Sequence, residues 1–507
     1  MHLEVRDVDL LAHLALGAHA ALTPGNLIAC LAGCAMGTVV GVLPGLGPVA
    51  AISLLLPVSF ALDPSSAIIM LAGLYCGAQY GGSISAILLN LPGEASSAIT
   101  CLDGHVMARE GRAAVALATA ALASCAAGTV AALLMAVSAG PLTSVIGALG
   151  PADFAALMVA GLALTIVVEG AHIVQGAAMV SLGLLLGAVG TSVATGAERF
   201  TFGIDALYDG IGFLPLAIGL FGVSEIVASL AGSETDHSTP ATVGTSALRP
   251  GEFWRATAAT ARGTTVGSLL GLLPGGGPTL ASFAAYSMEK LFARGGRELG
   301  HGAIEGVAAP ESANNAAAQT SLLPLLLLGV PSNAVVALLL SALIVQGVQP
   351  GPDLMVREPV LFWGLVVSLW VANVILVVLN LPLVGLWTRV LTIPPRYLHP
   401  VTIALACGGV YAVNHSTTDI WLTAAFGLVG YALRLAGVNA APLLLGFVLS
   451  RPIEENAQRA LAFAAGDWTT FVRQPVGAMA AAFVLVGLGV ATSRRTRAGR
   501  TGHDARH

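Results

Sequence analysis

The chain has 507 residues, of which 56% are apolar and 10% are charged, and its formal net charge is −5. An ordinary soluble domain carries about 25% charged residues, so this composition excludes a soluble globular enzyme, a disordered protein and a nucleic-acid-binding protein. Long apolar runs such as 113–137 and 360–386 reach the roughly 20 residues that a helix needs to cross a bilayer. We therefore expect an all-α polytopic membrane protein with about 11–12 transmembrane helices.

The N-terminal stretch mixes acidic residues with Arg6 and has no basic region before its apolar part. It does not match a cleaved signal peptide, and we expect an interfacial segment or part of a first span. The six cysteines show no CxxC or Cys/His spacing, so packing is the expected role. The sequence has no nucleotide-binding loop and no familiar hydrolase motif, which argues against ATP-driven transport and against catalysis.

An internal repeat is the clearest pattern in the sequence. Residues 37–51 read GTVVGVLPGLGPVAA and residues 267–281 read GSLLGLLPGGGPTLA, at an offset of 230. A second pair, GIGFLPLAIG at 210–219 and GVNAAPLLLG at 437–446, has an offset of 227. Paired units that are interrupted by Gly and Pro at matching positions are typical of secondary transporters. The alternative is an old duplication in which the Gly-Pro turns are purely structural.

The charge pattern predicts how the two units are oriented. The arginine-rich tail indicates a cytoplasmic C-terminus, and an odd number of spans in the first unit would invert the second. Each LPGxGP segment is expected at the tip of a re-entrant hairpin, and 318–347 and 438–450 are among the predicted spans. The expected parts are an N-terminal interfacial segment at 1–25, repeat unit 1 at 26–231 (hairpin tip 43–48), a cytoplasmic linker at 232–262, repeat unit 2 at 263–457 (hairpin tip 273–278), a connecting loop and extra C-terminal span at 458–493, and a basic cytoplasmic tail at 494–507.

Each unit also contains a polar, proline-broken stretch, NLPGEASS at 90–97 and GVPSNAV at 329–335. A half-helix that begins at such a break presents free N–H groups and a positive dipole end, which suit a carboxylate or phosphate. Plain N-capping is the alternative role for the serines. The expected substrate-binding residues lie at the hairpin tips and the breaks: Pro44, Gly45, Gly47, Asn90, Pro92, Gly93, Ser96, Ser97, Pro274, Gly275, Gly277, Pro331, Ser332 and Asn333.

Glu311 lies in the polar run PESANN. A carboxylate near membrane depth is costly and indicates function, although Glu311 could instead belong to the basic 290–301 loop. The expected cation-coupling residues are Glu311, Ser312, Asn314 and Asn315, with a candidate Na⁺ site near Asn314 and Asn315. Apart from Na⁺ as a coupling ion, we expect no cofactor. Weaker candidates are Gln79, Tyr80, Asp103 and Glu305.

These segments together resemble a known family. GVLPGLGPVAA, YCGAQYGGSISAILLNLPGE, CLDGHVMAREG, LLPGGGP, EGVAAPESANNAA and LGVPSNAVVALLL are similar to TctA, the large membrane subunit of bacterial tripartite tricarboxylate transporters. The resemblance covers about residues 20–485. The chain departs from the family's usual small pair, such as Gly-Ser, at Ser332-Asn333, which bears on substrate preference.

The resemblance implies two partners, a small four-helix TctB-like membrane subunit and a periplasmic TctC-like solute-binding protein. It also implies uptake of citrate or related carboxylates at the bacterial inner membrane, driven by Na⁺ or H⁺. An elevator-type movement follows only by analogy with other carriers. An ion channel and a membrane-embedded enzyme are the alternative functions.

Overall fold

The computed structural model describes residues 10–473 with short gaps. The gaps are 44–46, 147–148, 170–171, 193–195, 232–247, 274–276, 293–297, 384, 388–399, 401–402, 405–406, 409 and 412–414. The predicted extra C-terminal span and basic tail therefore lie almost wholly outside the described residues. Within the described part, regular structure is helical apart from one short antiparallel strand pair, Gly190–Thr191 with Glu198–Arg199.

The first half of the chain contains the helices α1 to α10. In order they are α1 (Leu10–Ala21), α2 (Pro24–Val42), α3 (Pro48–Ser59), α4 (Pro64–Leu89), a 3₁₀ turn (Ala95–Ala98), α5 (Cys101–Met107), a π turn (Ala108–Arg112), α6 (Ala113–Ile146), α7 (Pro151–Val168), α8 (Ile173–Gly187), a 3₁₀ turn (Asp205–Leu207), α9 (Phe213–Ala217), a π turn (Ile218–Val223) and α10 (Ser224–Ala231).

The second half contains the described helices α11 to α20. They are α11 (Glu252–Gly271), α12 (Gly277–Phe292), α13 (Glu305–Thr320), α14 (Leu322–Leu328), α15 (Ala334–Val345), α16 (Leu354–Arg357), α17 (Pro359–Asn380), α18 (Thr417–Leu435), α19 (Ala441–Phe463) and α20 (Thr470–Arg473).

Four described helical stretches are long and apolar enough to cross a membrane: Pro24–Val42, Pro64–Leu89, Cys101–Thr143 and Pro359–Asn380. Several further apolar helices are shorter, such as α15 with 12 residues. At 1.5 Å per residue, such a helix reaches only part of the ~30 Å hydrocarbon core. The all-α, multi-pass membrane class is therefore confirmed, whereas the predicted number of spans stays a prediction.

Three predicted boundaries differ from the structure. The stretch 318–347, predicted as a span that contains the proline-broken segment 329–335, consists of two separate helices, because Gly329 takes a left-handed conformation (φ 66°) and Pro331 follows. The predicted span 438–450 is part of the longer α19. Helix α11 begins at Glu252, inside the predicted linker.

Glycine at every fourth residue lets the first arm of each hairpin lie directly on the helix that follows the hairpin. A Cβ on the three glycines of α2 would collide with carbonyl groups of α4, pairing Gly33, Gly37 and Gly41 with Met70, Leu74 and Ala78. The three glycines of α11 meet α13 in the same way, pairing Gly263, Gly267 and Gly271 with Ala309, Ala313 and Ala317.

These contacts show that the repeat includes the helices that follow the two hairpins, and not only the LPGxGP motif. The glycines recur at an offset of 230 residues, and the carbonyls that they meet recur at an offset of 239. The difference lies between the hairpin tip and the next helix, where α12 and its following loop are longer than α3 and its loop. The α2–α3 and α11–α12 pairs are thus equivalent helical hairpins, and their re-entrant course through the membrane stays a prediction.

Helix α4 lies in the main apolar core and is buried along its length. The core also includes α14, α15 and the inner face of α17. Helix α13 is buried from Gly306 to Thr320 although its sequence is rich in polar residues. Buried polar groups are stable only when they are paired, so the partners of α13 locate the candidate site.

Candidate functional site

The two breaks share one backbone geometry. Helix α4 ends at Asn90 (φ 58°), and α14 ends at Gly329 (φ 66°), both in the left-handed region. Four residues later an extended residue begins the next helical turn, Glu94 (φ −149°, ψ 166°) in the first break and Asn333 (φ −157°, ψ 173°) in the second. The sequences LLNLPGE and LLGVPSN are therefore structural equivalents at the same offset of 239.

In the first break, the predicted serines hydrogen-bond within the turn. The Ser97 hydroxyl donates to the Glu94 carbonyl (2.9 Å) and accepts from the Glu94 N–H (3.4 Å). The Ser96 hydroxyl contacts the Glu94 carboxylate and the Gln79 side-chain oxygen, the latter at 3.2 Å. Asn90 and Pro92 are exposed, whereas Gly93 is buried. The capping role is thus present for Ser97, whereas Ser96 bonds to side chains instead.

In the second break, Asn333 caps α15. Its Oδ1 accepts from the Val336 N–H (3.1 Å), and its Nδ2 donates to the Tyr75 hydroxyl (3.4 Å) and to the Ser332 hydroxyl (3.4 Å). Pro331 and Ser332 are buried. Tyr75 belongs to α4, so this break is bonded to the first unit.

Each hairpin tip lies beside the break of its own unit. A Cβ on Gly47 would be 3.9 Å from the Gly93 carbonyl oxygen, and one on Gly277 would be 3.4 Å from Asn333 Cβ. The other predicted tip residues Pro44, Gly45, Pro274 and Gly275 lie outside the described residues.

The second arms of the hairpins cross over to the opposite unit. Helix α3 packs against α15, and α12 packs against the Ala95–Ala98 turn. The structure therefore brings the described tips and both breaks into one region where the two units meet.

Glu311 is buried in this region, with 1% of its surface exposed. Its two carboxylate oxygens accept hydrogen bonds from the hydroxyls of Thr100 and Ser83, each at 2.5 Å. Both donors belong to the first unit. Among the described ion pairs, none involves Glu311. The loop alternative is wrong, because Glu311 lies in the interior between the two units.

The other predicted cation-coupling residues divide into two groups. The Asn315 Nδ2 donates to the Ser124 hydroxyl (2.7 Å), and its Oδ1 is buried without a hydrogen-bond partner in the described part of the chain. The Asn314 Nδ2 donates to the Glu94 carboxylate (3.2 Å). The Ser312 hydroxyl instead bonds within α13 to the Ala309 carbonyl (2.9 Å), so it lies apart from this cluster.

Sequence reasoning missed four side chains of this cluster: Ser83, Glu94, Thr100 and Ser124. Alignment of LLNLPGE with LLGVPSN would have found Glu94, because it places that carboxylate opposite the predicted Asn333. Ser83 and Ser124 lie on apolar helices and Thr100 lies in the turn before α5, and none of the three carries a comparable pattern.

Two weaker candidates have structural roles. Asp103 accepts hydrogen bonds from the N–H groups of Gly300, Gly302 and Ala303 and from the Tyr286 hydroxyl, all within 3.0 Å. It therefore fastens the loop before α13 to α5. Glu305 forms an ion pair with Arg255 at 3.2 Å. In the described residues, no group of three His, Cys, Asp or Glu side chains could hold a metal ion.

With this geometry established, comparison with known proteins gives the family. Residues 27–445 match the Tripartite tricarboxylate transporter TctA family. The chain belongs to the TctA family. It is thus a subunit of a tripartite tricarboxylate transporter and a multi-pass membrane protein, and membership points to a transport component rather than an enzyme.

Two relatives of this TctA-family protein come from Agrobacterium vitis. An uncharacterized 52.8 kDa protein in the TAR-I ttuC' 3' region is 50% identical over 481 residues, which are 95% of each chain. An uncharacterized protein in the TAR-II ttuC' 3' region is 52% identical over 224 residues, or 44% of this chain and 90% of that protein. No solved structure matches the chain.

Proposed function

We propose that this TctA-family protein is the large permease subunit of a binding-protein-dependent secondary transporter. It imports tricarboxylates or related organic carboxylates together with Na⁺ or H⁺ and works by alternating access. The observation that carries the proposal is the buried Glu311 carboxylate, which both units enclose and which, among the described residues, accepts hydrogen bonds from hydroxyl groups only. An ionised carboxylate without a cation costs several kcal/mol in such a site, so the site favours loading with a proton or a metal cation.

Of the two breaks, the second is better suited to bind the anionic substrate. Helix α15 has 12 residues and begins at Asn333, so its first turn offers backbone N–H donors and the positive end of its dipole. Its capping side chain is a neutral amide. Gly277 and Ser332 lie next to it. Pro274 and Gly275, which lie outside the described residues, belong to the proposed site from the sequence motif alone.

The first break is better suited to bind the coupling cation than the substrate anion. Its capping residue is the carboxylate Glu94, which would repel an anionic substrate, and the 3₁₀ turn that follows has only four residues. Because Asn314 donates to Glu94 and lies one turn from Glu311, the two carboxylates belong to one polar cluster. In the proposed cycle the cations loaded there offset the charge of the substrate carboxylates.

The remaining parts of the proposal come from the family. A TctC-like binding protein delivers the carboxylate on the periplasmic side of the inner membrane, and a TctB-like subunit accompanies the permease. The C-terminus lies in the cytoplasm. Movement of one group of helices against the others, by analogy with elevator carriers, would carry the site between the two faces.

Uptake into ATP-free proteoliposomes tests this function. The liposomes contain this chain with its small partner, the binding protein is added outside, and labelled carboxylates are offered under imposed Na⁺ or pH gradients. We expect accumulation that needs both a gradient and the binding protein. Glu311→Gln should abolish accumulation, whereas the control Glu455→Gln, the same change in an exposed i,i+4 pair, should leave it intact.

Three outcomes would overturn the proposal or part of it. Dissipation of the gradient without accumulation would indicate a channel, and chemical conversion of the carboxylate would indicate an enzyme. Full accumulation by the Glu311→Gln variant would keep the carrier and remove its proposed cation-coupling site.

A further inference from the structure

A small cavity lies between α4, α6 and α17, one side chain away from Glu311, and the proposed transport site does not use it. Its volume is about 10 Å³, about the least space that holds one water-sized occupant. Its lining combines four polar side chains with small or aliphatic ones: Tyr80, Ser83, Ser124 and Asn380, with Ile84, Leu117, Ala120 and Ala121.

The three hydroxyl groups of the cavity direct their protons elsewhere. The Tyr80 hydroxyl donates to the Ala121 carbonyl (3.5 Å), and the Ser83 hydroxyl donates to the Glu311 carboxylate (2.5 Å). The Ser124 hydroxyl donates to the Glu311 carbonyl (3.4 Å). Since a hydroxyl has one proton and two lone pairs, what each of them offers to the cavity is an oxygen acceptor.

Asn380 supplies the fourth oxygen. Its Nδ2 donates to the Leu376 carbonyl (2.7 Å), which fixes the orientation of the amide. Its Oδ1 is buried and has no hydrogen-bond partner among the described residues, and the whole residue is only 4% exposed. An unpaired buried acceptor costs about 1–3 kcal/mol, and an occupant of the cavity would relieve that cost.

A lining with oxygen acceptors and no basic side chain is suited to a cation. Oxygen donors are the ligands that hard cations prefer, and the negative charge of Glu311 lies directly behind the Ser83 hydroxyl. We propose that this cavity is a Na⁺ site whose ligands are Tyr80 Oη, Ser83 Oγ, Ser124 Oγ and Asn380 Oδ1. The inference rests on the proposed function, and it names Na⁺ as a coupling ion and places it apart from Asn314 and Asn315.

Direct binding of ²²Na⁺ to the purified complex of this chain with its small partner tests the site without transport. The wild type should bind Na⁺ saturably, and choline should not compete. Asn380→Leu removes a proposed ligand oxygen and should weaken binding by at least roughly 10- to 100-fold, the range already seen when only an outer-shell partner of a metal ligand is lost. Asn380→Asp keeps an oxygen at that position and should retain binding.

Asn373→Leu is the matched control. Asn373 has the same residue type, lies on the same helix and is buried, but it pairs with Gln319 (2.8 Å) and does not line the cavity. It should bind Na⁺ within about twofold of the wild type, a small effect compared with loss of a supporting group. Equal binding by the Asn380→Leu and wild-type complexes would overturn the site.

Absence of saturable Na⁺ binding in the wild type would also overturn the proposal and assign the cavity to a water molecule. Carboxylate uptake measured on the same preparation separates this failure from that of the proposed function. Proton-driven uptake without Na⁺ binding refutes only the Na⁺ site. Saturable Na⁺ binding that Asn380→Leu weakens, without carboxylate uptake, refutes only the carrier.

Discussion

The two repeat units share a packing scheme and differ in chemistry. In each unit, three glycines of the first hairpin arm lie against three carbonyls of the helix that follows the hairpin. The break further along, after α4 in the first unit and after α14 in the second, begins at a left-handed residue two positions before a proline. At equivalent positions, however, Glu311 and Asn315 of α13 correspond to Ala72 and Cys76 of α4. The capping residue is Glu94 in one break and Asn333 in the other.

The difference indicates a division of labour. Packing constrains the backbone of both units alike, because a close helix–helix approach leaves no room for side chains at the contact. The polar side chains are free to diverge, and they gather where the carboxylates of the first break and of α13 meet. An anion is better accommodated at the second break, where the capping group is neutral.

The largest effect is expected from the shared packing. Gly37→Ala and Gly267→Ala each place a Cβ against a helix backbone, Leu74 in the first unit and Ala313 in the second, where neither side can yield. Such overpacking costs about 1–3 kcal/mol or more, so both variants should lose most of the folded protein. Size-exclusion profiles and Tm of the detergent-purified chain measure this.

Gly25→Ala is the control for that experiment, since an added Cβ there has no neighbour within 4 Å on the same helix α2. It should match the wild type. If only one of the two buried glycines proves sensitive, the packing equivalence of the units is wrong.

The second-largest effect is expected from exchanging the charge of a capping residue, which is neutral in Asn333 and negative in Glu94. Asn333→Asp keeps a good N-cap but adds a negative charge at the proposed anion site. Like charges a few ångströms apart repel by several kcal/mol at an effective dielectric constant near 20, so the apparent KM for the carboxylate should rise at least about tenfold. Initial uptake rates at a fixed concentration of binding protein give this KM.

Glu94→Gln is the converse change, because it makes the first capping residue neutral as well. It should leave the KM for the carboxylate within about twofold, far below a charge–charge effect, and should alter the dependence of uptake on the imposed cation gradient. The opposite pattern, a raised KM with Glu94→Gln and none with Asn333→Asp, would exchange the roles of the two breaks.

The sequence predicts those features of the fold and the site that depend on residue types unusual in a membrane helix. Gly and Pro disrupt helices wherever they cluster, so the hairpins and breaks could be located, and a buried Glu in an apolar chain is conspicuous. The sequence does not predict which side chains of different helices meet. Ser83 bonds to Glu311 because α4 packs against α13, and Thr100 does so because the segment around the start of α5 packs against α13 as well. Ser312 lies outside the cluster because its hydroxyl bonds back to its own helix.

Some predicted span boundaries differ from the observed helix ends for a related reason. Apolar run length placed a single span over 318–347, whereas the Gly-Pro pattern indicated a break within it, and the structure has two helices with Gly329 and Pro331 between them. It also ended the 438–450 span too early, since α19 continues into a polar stretch.

A third prediction concerns an ion pair at the start of the second hairpin, which has no counterpart at the start of α2 among the described residues. Glu252 at the start of α11 accepts from the Arg112 guanidinium (2.6 Å) and from the Arg249 N–H (2.8 Å). Burial alone would raise the pKa of the Glu252 carboxyl, but these donors hold that pKa below its ordinary value. Stability from this pair is therefore present at neutral pH and is lost as pH falls through the lowered pKa.

Glu252→Gln should lower the free energy of unfolding by about 2 kcal/mol at pH 7, the range for hydrogen bonds to charged groups. It should also flatten the fall of Tm below about pH 4.5, the ordinary pKa of a glutamate. Thermal unfolding between pH 3 and pH 8 measures both. A variant with the wild-type pH profile would show that Glu252 does not anchor the hairpin.

The smallest effect comes from the left-handed residues that end α4 and α14. Gly329→Ala should cost about 1 kcal/mol, because a Cβ disfavours φ near +66°. Gly329→Asn should cost less, since asparagine tolerates this region, as Asn90 already does in the first unit (φ 58°). Tm shifts in this order would show that the two breaks are interchangeable in backbone, and an Asn variant less stable than the Ala variant would contradict that equivalence.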